Sequence, residues 1–255
     1  MKRILLYAGA GLLTFLGFII FFAPASLLYG TVTNELNKAV PGLQLVSLSD
    51  TIWNGRAQLR YRNFPNSELV WNLAKAPLMF AKASADLTLN GEGHKLEAYL
   101  DLDNSATHLD NLEGTITSNY VNQESRNLGL TFTGELQLLD ISLSADRGWL
   151  TGISGKLHWT GGRIHYAPDK SAGVPGQVFE LPPLDGALSL DDKVLVLDII
   201  HEGANLALVR LRPDGWAEII VKARLFDLAG VPWPAGSSLD DTVLQLEQQL
   251  FPGRG

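Results

Sequence analysis

The sequence predicts an all-β fold behind one N-terminal transmembrane helix: a curved, repetitive antiparallel β-meander sheet, sandwich- or groove-like, finished by a short C-terminal helix. Three observations predict it. An uncharged, mostly apolar run of 20 residues occupies Ile4–Ala23. Beyond it, apolar residues recur with a period of about two rather than about 3.6, the spacing that sends alternate side chains to opposite faces of a strand. Short polar turns rich in glycine, asparagine, aspartate and proline separate these runs.

The apolar run comes first in the chain. At about 1.5 Å of rise per helical residue it crosses the roughly 30 Å hydrocarbon layer of a bilayer. Only Met1, Lys2 and Arg3 precede it, and the two cations predict that residues 1–3 are cytoplasmic and everything after the helix lies outside the cytoplasm. Ala23-Pro24-Ala25 before Ser26 has the small-residue spacing of a signal peptidase site, so a cleaved signal peptide is the rival reading. Both readings export the chain. Retention as an anchor is favoured, because the run exceeds the roughly 7 to 15 residues of a signal-peptide core and proline fits the cleavage triplet poorly. Ala10, Thr14 and Gly17 share one helical face, a candidate helix–helix contact in the membrane, although small residues are common in any membrane helix.

A membrane-proximal linker follows over residues 24–42. Within it, Thr31–Val40 reads as a short amphipathic helix stopped by Pro41-Gly42. Residues 43–255 then form the β-rich exported domain. The chain is 46% hydrophobic, so a packed core is feasible and disorder is not expected. Without Lys2 and Arg3, the 20 basic residues fall to 18 against 27 acidic ones, a net charge of −9. That sign excludes a nucleic-acid partner, which requires basic patches to displace phosphate counterions, and argues against adhesion to anionic headgroups. With no cysteine, the chain has neither disulfides nor thiol chemistry, and its stability must come from the core.

The strands read in order. A short apolar strand at Leu43–Leu48 is followed by Ala57, Leu59 and Tyr61 against Gln58, Arg60 and Arg62, and by Leu69, Trp71 and Leu73 against Val70, Asn72 and Ala74. Ala85, Leu87 and Leu89 alternate with Asp86, Thr88 and Asn90, and Leu96 to Leu102 alternate with Glu97 to Asp103. Leu128, Leu130 and Phe132, then Leu136 and Leu138, Leu157 and Trp159, and Ile164 and Tyr166 continue the series. Turns are expected at Asn90–Gly93, Thr160–Gly162, Asp191–Lys193 and Pro213–Gly215. A weak repeat runs through the meander: Gly134-x-Leu136-x-Leu138, Gly155-x-Leu157-x-Trp159 and Gly186-x-Leu188-x-Leu190, with a looser copy at Gly114-Thr115-Ile116. Glycine there relieves crowding or marks a bulge that curves the sheet. Leu239–Leu250 reads as a C-terminal helix capped by Ser237 or Ser238, with Leu239, Val243, Leu246 and Leu250 near one face. The proline-rich stretches Ala167–Pro183 and Val231–Gly236 read as surface loops.

Catalytic chemistry leaves no pattern. His94, His108, His158, His165 and His201 are scattered without a spacing that sets two metal ligands on one element, and His158 and His165 are placed on opposite arms of a hairpin turning at Gly161-Gly162. Asp101, Asp103 and Ser105 begin like a calcium loop, but Ala106 and Leu112 stand where glycine and a bidentate acid are required. Nucleophile elbow, phosphate loop and dinucleotide fingerprint are all missing. Paired carboxylates for glycoside hydrolysis need only proximity in space, yet the acids here fall on wet strand faces and in turns. The chain is read as a non-enzyme with no catalytic, cofactor-binding or metal residues.

The most distinctive string is Thr51-Ile52-Trp53-Asn54-Gly55-Arg56-Ala57. Trp53 offers a large apolar surface, Gly55 allows close backbone approach, and Arg56 can pair with a carboxylate, so Trp53, Gly55, Arg56 and Trp71 form a candidate structural or partner motif. The string resembles the W-x-G-R-A signature near the start of the periplasmic part of type II secretion system protein N. The single anchor, Trp71 soon after, the Gly-x-Leu-x-Leu repeats and the length of 255 residues also look like that family. The resemblance implies an accessory component of the type II secretion machinery, single-pass in the bacterial inner membrane with its bulk in the periplasm. It would act by non-covalent contacts with other inner-membrane or periplasmic secretion subunits, without a cofactor. Glycine-started leucine pairs also occur in AsmA-like envelope proteins, so the alternative is a lipid-binding or lipid-transfer protein with an apolar groove.

Overall fold

The computed structural model describes residues 21–249 except 41, 63, 75–81, 104–105, 127–128, 147–148, 167–175 and 235. Residues 4–20 of the expected span, with Ala10, Thr14 and Gly17, lie outside the described residues. Among the described residues, no helix is long and apolar enough to cross a membrane. The chain divides into two compact units between Gly91 and Glu92.

In the first unit a 3₁₀ turn, Ala25–Leu28, leads into helix α1, Tyr29–Ala39, close to the helix expected at Thr31–Val40. The Val40 N–H closes the helix on the Leu36 carbonyl at 2.8 Å, and Gly42 takes a φ of 93°, a backbone state that glycine reaches without penalty. The chain then enters an antiparallel meander of β1 (Leu43–Asp50), β2 (Asn54–Tyr61), β3 (Ser67–Leu73) and β4 (Ala83–Gly91). The Tyr29 hydroxyl donates to the Leu45 carbonyl at 3.0 Å, which fastens α1 to β1. Leu45, Ala57, Phe64 and Ala85 are buried here.

In the second unit, nine strands run in the order β5-β6-β8-β9-β12-β13-β14-β15-β16. Their ranges are His94–Leu102 (β5), Thr107–Thr117 (β6), Glu135–Asp146 (β8), Trp149–Trp159 (β9), Leu184–Asp191 (β12), Val194–His201 (β13), Ala204–Leu211 (β14), Trp216–Lys222 (β15) and Thr242–Gln249 (β16). Every neighbouring pair in this order is antiparallel. The short strands β7 (Leu130–Phe132), β10 (Gly162–Tyr166) and β11 (Gln177–Leu181) leave this order and form a second, three-stranded sheet, β11-β10-β7. Helix α2 (Ser118–Ser125) joins β6 to β7, and α3 (Ala223–Leu228) follows β15.

The glycines of the repeat accompany irregularities in the pairing. Register shifts fall between Leu109 and Leu112, between Leu112 and Gly114, and between Leu139 and Ser142. Asn111 and Asp140 lie in the left-handed region at φ 52° and 50°, as bulged residues do. Gly155 sits against the second bulge, where a Cβ would come within 2.6 Å of the Ile141 α-carbon.

Three expectations are corrected. Leu239–Leu250 is not a helix, because Thr242–Gln249 is strand β16, with Leu246 opposite Ile219 and Leu244 opposite Val221. A helix this short is marginal in water, whereas pairing with β15 bonds the same backbone and aligns apolar neighbours. The helix of this region is α3, whose end carries the paired bonds of a Schellman cap, Val231 N–H to Phe226 and Gly230 N–H to Asp227. Secondly, Gln177–Leu181 is a strand within the stretch read as loop. Thirdly, Gly161-Gly162 does not turn a hairpin: β9 and β10 belong to different sheets, and the chain crosses between them there. Both glycines have positive φ, 80° and 140°, and a Cβ on Gly161 would press on the Pro182–Pro183 backbone.

Candidate functional site

Between the two sheets of the second unit lies an apolar cavity of about 330 Å³. Its floor follows from the register of the long sheet. Ile116 pairs with Leu136, Leu136 with Trp159, and Trp159 with Leu184, which makes one continuous row across β6, β8, β9 and β12. The adjoining row runs Leu138, Leu157, Gly186, Ile199. Because side chains two apart share a face, the leucine and tryptophan positions of the repeat lie side by side. Leu136, Leu157, Trp159 and Gly186, all repeat positions, line the cavity.

The cover comes from the three-stranded sheet. Phe132 pairs with Ile164 and Ile164 with Phe179, so one row of apolar residues crosses it; Phe132, Ile164 and Leu181 line the cavity. Val121 and Ser118 of α2 and Leu225 of α3 complete the wall. Polar contacts brace the cover, and the first of them ties it to the floor. The Trp159 indole N–H donates to the Thr133 carbonyl at 3.0 Å, and Thr133 exchanges backbone and side-chain bonds with Arg163. The Asn122 amide acts as a substitute strand: its Nδ2 donates to the Phe132 carbonyl and its Oδ1 accepts from the Phe132 N–H, both at 2.7 Å. Asn122 is buried, so this pair of bonds satisfies the edge of β7 without water.

Native interiors hold few voids larger than a water molecule. This space is far larger than such voids and opens to solvent, as a ligand site does. Asp185 meets the cavity between Leu184 and Gly186 of β12, so its carboxylate takes the opposite face of the sheet, where it bonds His158 Nδ1 at 2.7 Å.

His94 begins β5 and packs against helix α2. It is 7% exposed, its ring stands 4.4 Å from that of Tyr120 on α2, and neither ring nitrogen has a hydrogen-bond partner among the described residues. Burial pushes its pKa below the ordinary histidine value of 6.5. Among the described residues, no three histidine, aspartate or glutamate side chains gather as a metal site would require.

The residues singled out by the sequence occupy a corner of the first unit. Gly55 stands opposite Trp71 in the β2–β3 register, and a Cβ on Gly55 would fall inside the Trp71 ring. The Trp71 indole donates to the Ile52 carbonyl at 3.0 Å, and the Leu73 N–H donates to the Trp53 carbonyl at 2.6 Å. Arg56 joins Asp50 instead, Nε to Oδ2 at 2.8 Å, and that hydrogen bond and charge raise its already high pKa. The corner also receives the chain behind the apolar run: Ile52 N–H donates to the Ala23 carbonyl at 3.0 Å and Pro24 bridges to Thr51. The cavity was not foreseen from the sequence. Its floor is written in the Gly-x-Leu-x-Leu repeat, while its cover depends on strands leaving the meander, which alternation does not encode.

The family model described as type II secretion system (T2SS), protein N matches residues 41–227, which take in the Trp53–Trp71 corner and every described residue lining the cavity. No curated protein matches the chain, and no solved structure does.

Proposed function

Because this chain belongs to the type II secretion system protein N family, we propose that it is an accessory inner-membrane component of that machinery, acting through non-covalent contacts in the periplasm. Membership itself gives involvement in type II secretion and interaction with other components of the system. The match over residues 41–227 is the observation that carries the finer reading. Several features support it. The uncharged run at Ile4–Ala23 suits a single anchor with the bulk of the chain in the periplasm, and tethering raises the effective concentration of the domain beside other membrane subunits. The outer strand β16 carries exposed Leu244 and Leu246 and presents one edge to which a neighbouring strand can add.

The test is co-purification. Full-length protein extracted from membranes should bring down inner-membrane or periplasmic subunits of the secretion platform, and replacing residues 1–23 by a cleavable signal should impair secretion. Reproducible absence of platform subunits, with secretion intact after that exchange, would refute the proposal. The apolar cavity favours the second reading, an envelope lipid-binding protein of the AsmA-like kind, whose mark is lipid carried by the protein rather than a secretion defect.

A further inference from the structure

We infer that the cavity of the second unit takes the acyl chain of an amphipathic membrane lipid, with the chain between the two sheets and the head group outside. The volume of about 330 Å³ lies within the range of small-ligand sites, roughly 300 to 1,000 Å³, and well above the voids of a packed interior. Serine and glycine at Ser118, Gly134 and Gly186 leave space that larger side chains would fill. A Cβ on Gly186 would stand 3.0 Å from Leu197 and 3.1 Å from Leu157, tighter than ordinary contact.

The lining chemistry selects hydrocarbon over peptide. A peptide brings N–H and C=O groups that must find partners once water is excluded. Phe132, the backbone at the β7 edge, already has both its groups bonded to Asn122. A hydrocarbon chain asks for no hydrogen bonds, and the lining of leucine, isoleucine, phenylalanine and tryptophan provides none that it would waste.

Full-length protein reconstituted in vesicles of phosphatidylethanolamine and phosphatidylglycerol tests this, with a diazirine placed in the acyl chain of the phosphatidylethanolamine. Photolysis and peptide mass mapping should give adducts on Ile164, Leu181 and Leu197. The cavity-filling substitution Leu197→Phe, and separately Leu136→Phe, should remove the adducts at the remaining cavity residues while thermal unfolding stays cooperative; two variants guard against one failing to fold. Adducts confined to residues 4–23, or labelling undiminished in both folded variants, would overturn the inference. The inference is independent of the role in secretion: lost cargo export with cavity labelling intact counts against that role alone, and lost labelling with export intact counts against the lipid site alone.

Discussion

The missing side chain of Gly55 is what lets the Trp71 indole lie against β2 and reach the Ile52 carbonyl. Gly55→Ala should therefore destabilise the protein by about 1 to 3 kcal/mol through overpacking, measured by chemical denaturation. The same substitution made in a Trp71→Leu background should cost much less, because the clash is gone. His94 gives a second prediction, with a definite sign. Its folded pKa is depressed by burial, so the native state holds its proton less tightly than the unfolded chain. The stability tied to neutral His94 is fully present above its unfolded value of about 6.5 and is lost as pH falls below that toward the folded value. His94→Phe should flatten that part of the pH–stability curve, as read from denaturation midpoints between neutral and mildly acidic pH. At this scale the sequence was informative about identity and silent about partnership. Trp53, Gly55, Arg56 and Trp71 stood out as residues, but the contact of Gly55 with Trp71 and the separate pairing of Arg56 with Asp50 follow from the β2–β3 and β1–β2 registers.

Strands and helices were legible wherever one face is wet. Period-two alternation marked β2 to β5 and β8 to β10 because such strands expose every second residue. Alternation tells which face a residue takes and nothing about which strand lies beside it. For that reason β7 and β10 were recognised as strands and placed in the wrong sheet, and α2, whose apolar face is short, was missed. The C-terminal segment failed for the opposite reason: Leu239, Val243, Leu246 and Leu250 satisfy a helical spacing, and tertiary pairing overrode it. Backbone chemical shifts across residues 242–249 should be of strand type, with cross-strand contacts between Leu246 and Ile219; helical shifts there would contradict β16. Helix α2 has a clear structural duty. Asn122→Ala should remove both bonds to Phe132 and cost about 1 to 3 kcal/mol, since a buried donor and acceptor are left unpaired. Hydrogen exchange at the Phe132 amide should accelerate more than exchange at β9 amides in the same variant.

For the whole molecule, the family was legible in the sequence and the cavity was not. The Trp53–Ala57 string and the repeats pointed to the type II secretion system protein N family, and the match over residues 41–227 bears this out. The floor of the cavity was present in the repeat as apolar positions two apart, but a cavity is defined by what fails to fill it, and that depends on how far the cover stands from the floor. Imperfectly packed space has a mechanical signature. Hydrostatic pressure favours the state of smaller volume, and unfolding eliminates internal voids. Whatever part of the cavity is imperfectly filled disappears on unfolding, so the protein without ligand should unfold at lower pressure than either its lipid-loaded form or Leu197→Phe, even where their melting temperatures agree. A pressure titration followed by tryptophan fluorescence would then register occupancy of the space between the sheets without any label on the ligand.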